Sequence, residues 1–421
     1  MTVNAQKEQP AGTLTETIAY LQRPQAIRDR AHQLFQLAQA DQLEHFSCDL
    51  SKLDAVADYV IETTQQLYPD FDVPFHSRWR HFDVGGVPRL AELNRSLQQA
   101  SEGEADKLRI ARSQLDLVIV SVLLDAGAGS QWRYRDGSQV LSRSEGLAVA
   151  SLRAFQQGLF SSDPTFPYQV DSDRLQQLSE ADLAAAFQVS ADNPLLGLTG
   201  RLALLQKLGV ALSAQPRRFG QSPARPGNLL DYLVAKGTTL HAGDLLTTVL
   251  ESFGSIWPGR VTLGHINLGD VWPHPALANR EPGDNLVPFH KLSQWLTYSL
   301  IEPLTAASIT VTQLNALTGL AEYRNGGLCV DLGLLLPKHS AITQQQHLPG
   351  SPVVVEWRAL TIVMLDLIAD CICTRLNKSP ADLPLIKVIE GGTWPAGRRI
   401  AKHLRPTASP PIILQSDGTV F

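Results

Sequence analysis

The chain has 421 residues, 44% of them hydrophobic, which is ordinary globular composition with enough apolar material for a large core. Its 36 basic and 41 acidic residues give a net charge of -5, and no basic run appears that would track a nucleic-acid backbone, so a nucleic-acid partner is not expected. No stretch of about 18 consecutive apolar residues occurs, so a membrane-spanning helix is not expected either.

The polar start, MTVNAQKEQPAGTLTE, lacks the charged beginning and apolar stretch of a secretory signal, and a soluble cytoplasmic protein is expected. Residues 1–13 read as a disordered N-terminus, and 14–421 as one large, mainly α domain. Helices are expected at 26–40 and 51–66, where apolar residues recur at three-to-four spacing, and around Leu115–Leu124. Further helices follow at 142–158, 173–188, 197–212, 226–236, 241–252, 285–300, 311–319, 356–376 and 381–402. Short strand signals at Trp132–Tyr134, Leu328–Leu335, Val353–Val355, Pro411–Leu414 and Thr419–Phe421 predict a small sheet decorating the helical body. Connections fall at 99–106, 214–228 and 338–352, where Gly, Pro, Ser and Gln accumulate. The four cysteines, Cys48, Cys329, Cys371 and Cys373, fit neither a zinc ribbon nor a disulfide framework and read as reduced thiols.

Familiar catalytic motifs are absent: there is no H-E-x-x-H, no G-x-x-x-x-G-K-[ST] and no G-x-S-x-G. Gly127-Ala128-Gly129 resembles half a dinucleotide loop, but Trp132 stands where the third glycine would be, so the segment reads as a helix stop. Phe75–Gly86 is denser in chemistry, with His76, Arg78, Trp79, Arg80 and His81 within six positions. If extended, it puts His76, Arg78 and Arg80 on one side and Trp79 and His81 on the other, suited to phosphate or carboxylate and to a sugar face. The competing reading is a buried arginine network that pins loops.

Glu322-Tyr323-Arg324-Asn325-Gly326-Gly327, expected on a turn between a helix and a strand, offers a carboxylate beside an arginine. Its alternative is a salt bridge that fastens the turn. His290, Lys291 and Gln294 open a strongly apolar helix, and a lysine in such company either acts as an acid or snorkels outwards. His265, Asp270 and His274 with His290 form an irregularly spaced candidate set for a divalent metal. Glu356-Trp357-Arg358 and the Glu390–Arg398 segment again couple carboxylate, tryptophan and arginine.

Nine blocks in order, FHSRWRHFDVGGVPR, SRSEGLAVASLRAF, NPLLGLTGR, LGDVWPHP, PFHKLSQWLTYSLIEPL, LTGLAEYRNGGL, VEWRALT, VIEGGTWPAGR and SDGTVF, resemble the uracil-catabolism protein family of fungi and bacteria. The resemblance runs from about Leu14 to Phe421. It implies a place in a pathway in which uracil is ribosylated, a cyclohydrolase-like enzyme opens the ring, and ribosylurea or its phosphate is the intermediate. The order SEGLAVASLRAFQQG, FHKLSQ, LTGLAEYRNGGL, VEWRA is similar, more distantly, to the queuosine-salvage nucleoside glycosylases. That likeness implies a helical body like that of DNA glycosylases, with an Asp-Tyr-Arg triplet where Glu322-Tyr323-Arg324 stands and a Lys-x-x-Gln-like pair where Lys291 and Gln294 stand. The change from Asp to Glu keeps the carboxylate and lengthens its reach by a methylene.

Together these readings give an N-glycoside hydrolase without cofactor. Glu322, Lys291 and Arg324 are its expected catalytic groups, and His76, Arg78, Trp79, Arg80, His81, Asp270, Gln294, Glu356 and Arg358 bind the ribosylated ureide. The alternatives are a metal-dependent hydrolase of the ureido group using His265, Asp270, His274 and His290, and a non-catalytic partner of the cyclohydrolase-like enzyme.

Overall fold

Pro24 opens the helix Pro24–Gln39 in its first turn, where a missing N–H is harmless, and Ile27, Ala31, Leu34, Phe35 and Ala38 then return at helical spacing to one buried face. That face packs on the molecule's longest helix, Pro352–Arg375, which also receives the helix Leu53–Leu67. Every residue of Pro352–Arg375 from Val353 to Leu365 is buried, Glu356 and Arg358 included, so the helix forms a spine rather than a surface. A second buried helix, Lys291–Ala306, lies against Ala105–Leu123 and Ala242–Phe253. The hydrophobic core joins these layers without a break, from Ile27 to Ile412.

The computed structural model describes residues 13–99, 105–258 and 261–415. Most of the expected N-terminal disorder, most of the 99–106 connection and the Thr419–Phe421 strand lie outside the described residues. Helix dominates, as the periodicity predicts. Among the described residues the β-structure is not one small sheet but six two-stranded ribbons, including Phe46–Cys48 antiparallel to Leu335–Pro337 and Val271–Pro273 antiparallel to Leu286–Pro288. No described helix is long and apolar enough to cross a membrane.

Several expected elements change type. Leu328–Leu335 is not a strand: the helix Tyr323–Asp331 takes its first half, and only Leu335 pairs as β. Val353–Val355 is the first turn of the spine helix, because Pro352 at its start and burial on every side outweigh the β preference of three valines. The expected helix at 311–319 is a strand, Thr310–Thr312, followed by a single turn, Leu314–Ala316. The 285–300 helix begins later, at Lys291, after the strand Leu286–Pro288. Between them His290 adopts a left-handed φ of 47°, rare for a residue with a side chain, and its buried imidazole donates from Nε2 to the Leu21 carbonyl at 2.8 Å. This hinge sets Lys291 on the first turn of its helix.

Candidate active site

The residues expected to be extended at 78–82 form a short helix, Arg78–Phe82, docked on Lys291–Ala306. Alternate facing is therefore lost. Pro303 carries no N–H, so the Ser299 carbonyl four residues earlier is freed, and Trp79 donates its indole N–H to that oxygen at 2.8 Å. Ser77 and Arg80 both bind Glu302, the arginine at 2.6 Å. Arg78 is fully buried, donating to Ser121 Oγ at 2.8 Å and the Ser144 carbonyl at 3.1 Å while pairing with Asp125 at 3.0 Å. Trp79, Arg78 and Arg80 thus belong to the loop-pinning network, and only the two histidines of the segment reach a cavity.

That cavity has a volume of about 200 Å³. This is more than ten times what a single water needs by the same measure, so it has room for a small organic molecule. Lys291, Glu322, Arg324, His76 and His81 all line it, together with Asp125, Ser144, Trp295, Tyr323 and Trp394. Two remote parts of the sequence reading, the lysine at a helix start and the Glu-Tyr-Arg triplet, meet here.

Glu322 is not on a helix-to-strand turn; it caps the helix Tyr323–Asp331. Its two carboxylate oxygens accept the backbone N–H groups of Arg324 at 2.9 Å and Asn325 at 2.6 Å, so the charge sits on the positive end of the helix dipole. Arg324 does not form an ion pair with it and instead lies over Trp394, 4.2 Å from the ring centre. Its Nη1 is buried with no hydrogen-bond partner among the described residues, leaving a donor for a ligand. Neither Gly326 nor Gly327 has a positive φ. Gly326 is required by close approach: a Cβ there would stand 2.7 Å from Trp357 Nε1.

Burial pulls the Lys291 ammonium below the usual lysine range, and the charges of Glu322 and Asp125 only partly oppose this. Burial alone would raise Asp125, but Arg78, His81 and the Ser144 hydroxyl, which donates to both carboxylate oxygens at 2.6 and 2.8 Å, hold it below the ordinary range. His81 is lowered to about 4, first by burial and then by the Arg78 charge. His76 Nδ1 donates to Glu390 at 2.6 Å. Trp295 and Trp394 flank both histidines, with His76 4.5 Å and His81 5.7 Å from the Trp295 ring.

The remaining expected binding residues stand behind the wall. Asp270 takes both arms of Arg358 at 2.7 Å and also accepts the Lys291 backbone N–H at 3.1 Å, while Arg358 donates to the Ala321 carbonyl at 3.2 Å. One ion pair therefore ties the start of the Lys291 helix to the residue before Glu322. Arg358 holds Asp270 far below the carboxylate range despite burial. Gln294 clasps Thr318, accepting its N–H at 2.9 Å and donating to its hydroxyl at 2.7 Å, and so fixes the segment leading to Glu322. Glu356 accepts the N–H groups of His45 and Phe46, both at 3.1 Å, on the other side of the spine helix.

The alternative metal ligands do not converge. His265 is exposed on a hairpin, His274 faces Glu356 at 3.4 Å, His290 is held by Leu21, and Asp270 is engaged by Arg358. No group of three or more His, Cys, Asp or Glu fit to hold a metal occurs among the described residues. Sequence reasoning missed Asp125, Ser144 and Trp295, and noted Trp394 only as part of the Glu390–Arg398 segment. The signal for Asp125 was present, an acid closing an almost wholly apolar helix just before Gly127.

A family model described as "Protein of unknown function (DUF1688)" matches residues 20–421. The chain is 43% identical over 420 residues to Protein urg3 of Schizosaccharomyces pombe, covering 97% of this chain and 100% of that one. It is 38% identical over 445 residues to Uracil catabolism protein 4 of Lachancea kluyveri, again covering 97% and 100%.

Proposed function

This chain belongs to the family described as Protein of unknown function (DUF1688), and from that membership and the contents of the cavity we propose that it acts in uracil catabolism as an N-glycoside hydrolase. The proposed reaction splits ribosylurea or its phosphate into urea and ribose or ribose phosphate. One observation carries the reading: Lys291 and Glu322 face one cavity walled by Trp295, Tyr323 and Trp394.

Breaking the bond between C1′ and nitrogen leaves positive charge on the ribosyl ring and negative charge on the leaving nitrogen. The fixed carboxylate of Glu322 suits the first. It is anchored by two backbone N–H groups and does not reorganise as charge develops. The Lys291 ammonium suits the second, because a lysine drawn down from its usual range gives up a proton more readily to the departing urea. The tryptophans offer flat apolar faces to a sugar, and Arg324 Nη1 offers a donor to a hydroxyl, a carbonyl or a phosphate.

The test is direct. Purified protein incubated with ribosylurea and, separately, with ribosylurea phosphate is expected to release free urea and the sugar from at least one of them. Both compounds remaining intact would overturn the proposal.

A further inference from the structure

Two buried histidines share the cavity wall and the same two tryptophans, but their hydrogen-bond partners are of opposite kind. Behind His81 stands the Arg78 guanidinium, which can only donate; its Nη1 lies 3.3 Å from His81 Nδ1. The same nitrogen lies 3.4 Å from Ser144 Oγ, whose proton goes to Asp125; we assign Nδ1 as the acceptor from Arg78, which leaves the proton of the neutral ring on Nε2. Behind His76 stands the Glu390 carboxylate, which accepts from Nδ1 at 2.6 Å. Glu390 does not line the cavity, so the Nε2 side is what His76 turns to a ligand, and there it carries a lone pair.

The support behind His76 is built from one segment. His76 N–H donates to the Ile386 carbonyl at 3.2 Å, and three residues on, the helix loosens into a π-helical stretch, Ile389–Thr393, that carries Glu390. Gly391 and Gly392 let this stretch press on the helix Leu53–Leu67 and its sequel, since a Cβ on Gly392 would come within 2.6 Å of Val60 Cγ1. The bulge and the glycine pair set the carboxylate against the imidazole.

We propose that His76, oriented by Glu390, is the general base that takes a proton from the attacking water, and that His81 is a neutral N–H donor to the substrate; this rests on the glycosidase reading above. Water oxygen bonds to C1′, and the C1′–N bond breaks with its electron pair leaving on the urea nitrogen. The urea nitrogen takes a proton from Lys291, and the water proton passes to His76 Nε2. One water is consumed, and proton exchange with solvent resets His76 and Lys291. Glu322 is then free to act as a fixed negative charge, since each of its oxygens already accepts a backbone N–H. The charged and titratable groups that share the cavity with His76 are Lys291 from the buried helix, His81 from its own segment, and Glu322, Arg324 and Asp125, with Glu390 from the π-helical stretch behind it. Tyr68 lies within electrostatic reach of both Glu390 and Arg80.

The experiment follows urea release. No turnover of either ribosylurea by the wild-type protein overturns the glycosidase reading and the base role with it; once turnover is established, variants test the dyad alone. Glu390→Gln is expected to lower kcat at least about tenfold with KM changed less than about twofold. Glu390→Asp should recover part of the rate, and His76→Gln should lose at least about a hundredfold. Nitrogen-15 NMR of the wild-type histidines, independent of any variant, should show His76 with a proton on Nδ1 and neutral His81 with its proton on Nε2 at pH 7. A folded Glu390→Gln protein with unchanged kcat, or His81 protonated on Nδ1, overturns the proposal.

Discussion

At the scale of single residues, Glu322 has two jobs that one substitution can separate. Its carboxylate caps the helix Tyr323–Asp331 and also presents charge to the cavity. Glu322→Gln keeps an oxygen able to accept one backbone N–H but removes the charge. Turnover should fall at least about a hundredfold, or roughly 2.7 kcal/mol of transition-state stabilisation. Stability should also fall, by about 1 kcal/mol, as weakened capping predicts. Measuring urea release per folded molecule and the melting temperature on one preparation reads both, and normal turnover would remove Glu322 from the chemistry. Arg80 is the contrasting case. Its partner is Glu302 and it lies off the cavity wall, so Arg80→Ala should leave KM within about twofold and cost at most about 1 kcal/mol. A tenfold rise in KM would show that Arg80 reaches the substrate after all.

At the scale of elements, the site depends on how two helix starts are clamped together. Asp270 joins the Lys291 N–H to Arg358, and Arg358 joins the Ala321 carbonyl, so the pair sets the spacing between acid and carboxylate. Asp270→Asn removes the negative charge that takes both arms of the buried Arg358 guanidinium. A loss of about 3–5 kcal/mol in stability is expected, and kcat should fall further than the folded fraction does. A melting curve and a rate per folded molecule check this, and a variant as stable as the wild type would show that the clamp is dispensable. The need for this clamp was hidden from sequence reasoning. Lys291, Glu322, Arg324, His76 and His81 announced themselves by residue type, but nothing in local spacing says that Arg358 turns from the ligand to Asp270. Gly326 misled in the same way. A glycine pair after a polar triplet suggests a turn, whereas the tertiary reason for Gly326 is the face of Trp357, a contact with a residue far along the chain. Periodicity found most helices because apolar spacing is local. It failed at 323–331 and 353–355, where burial by distant elements overrides propensity.

At the scale of the whole molecule, the buried histidines tie stability to pH. His81, His290 and His45 are all drawn below the ordinary histidine range by burial. In the unfolded chain each takes a proton near pH 6.5, whereas folded His81 does so only near 4. Between those values the unfolded state binds more protons, so stability is full above about pH 6.5 and drains away as pH falls towards 4. His81→Asn should isolate one part of this slope. Its carbonyl can stand where Nδ1 stood and still accept from Arg78, yet it binds no proton, so it removes the titration while keeping the hydrogen bond. Plots of unfolding free energy against pH, from denaturant melts at 25 °C, should therefore be shallower for the variant between pH 6 and 4.5, by up to about 1.4 kcal/mol per pH unit, the slope of one proton. Above pH 7 the two curves should run parallel. The residual slope in the variant comes from His290 and His45 together with carboxylates whose range folding shifts, such as Glu145 and Asp116. Identical slopes for wild type and variant would mean that His81 already binds its proton in the folded state across this range, and the opposite wiring of the two cavity histidines would fall with it.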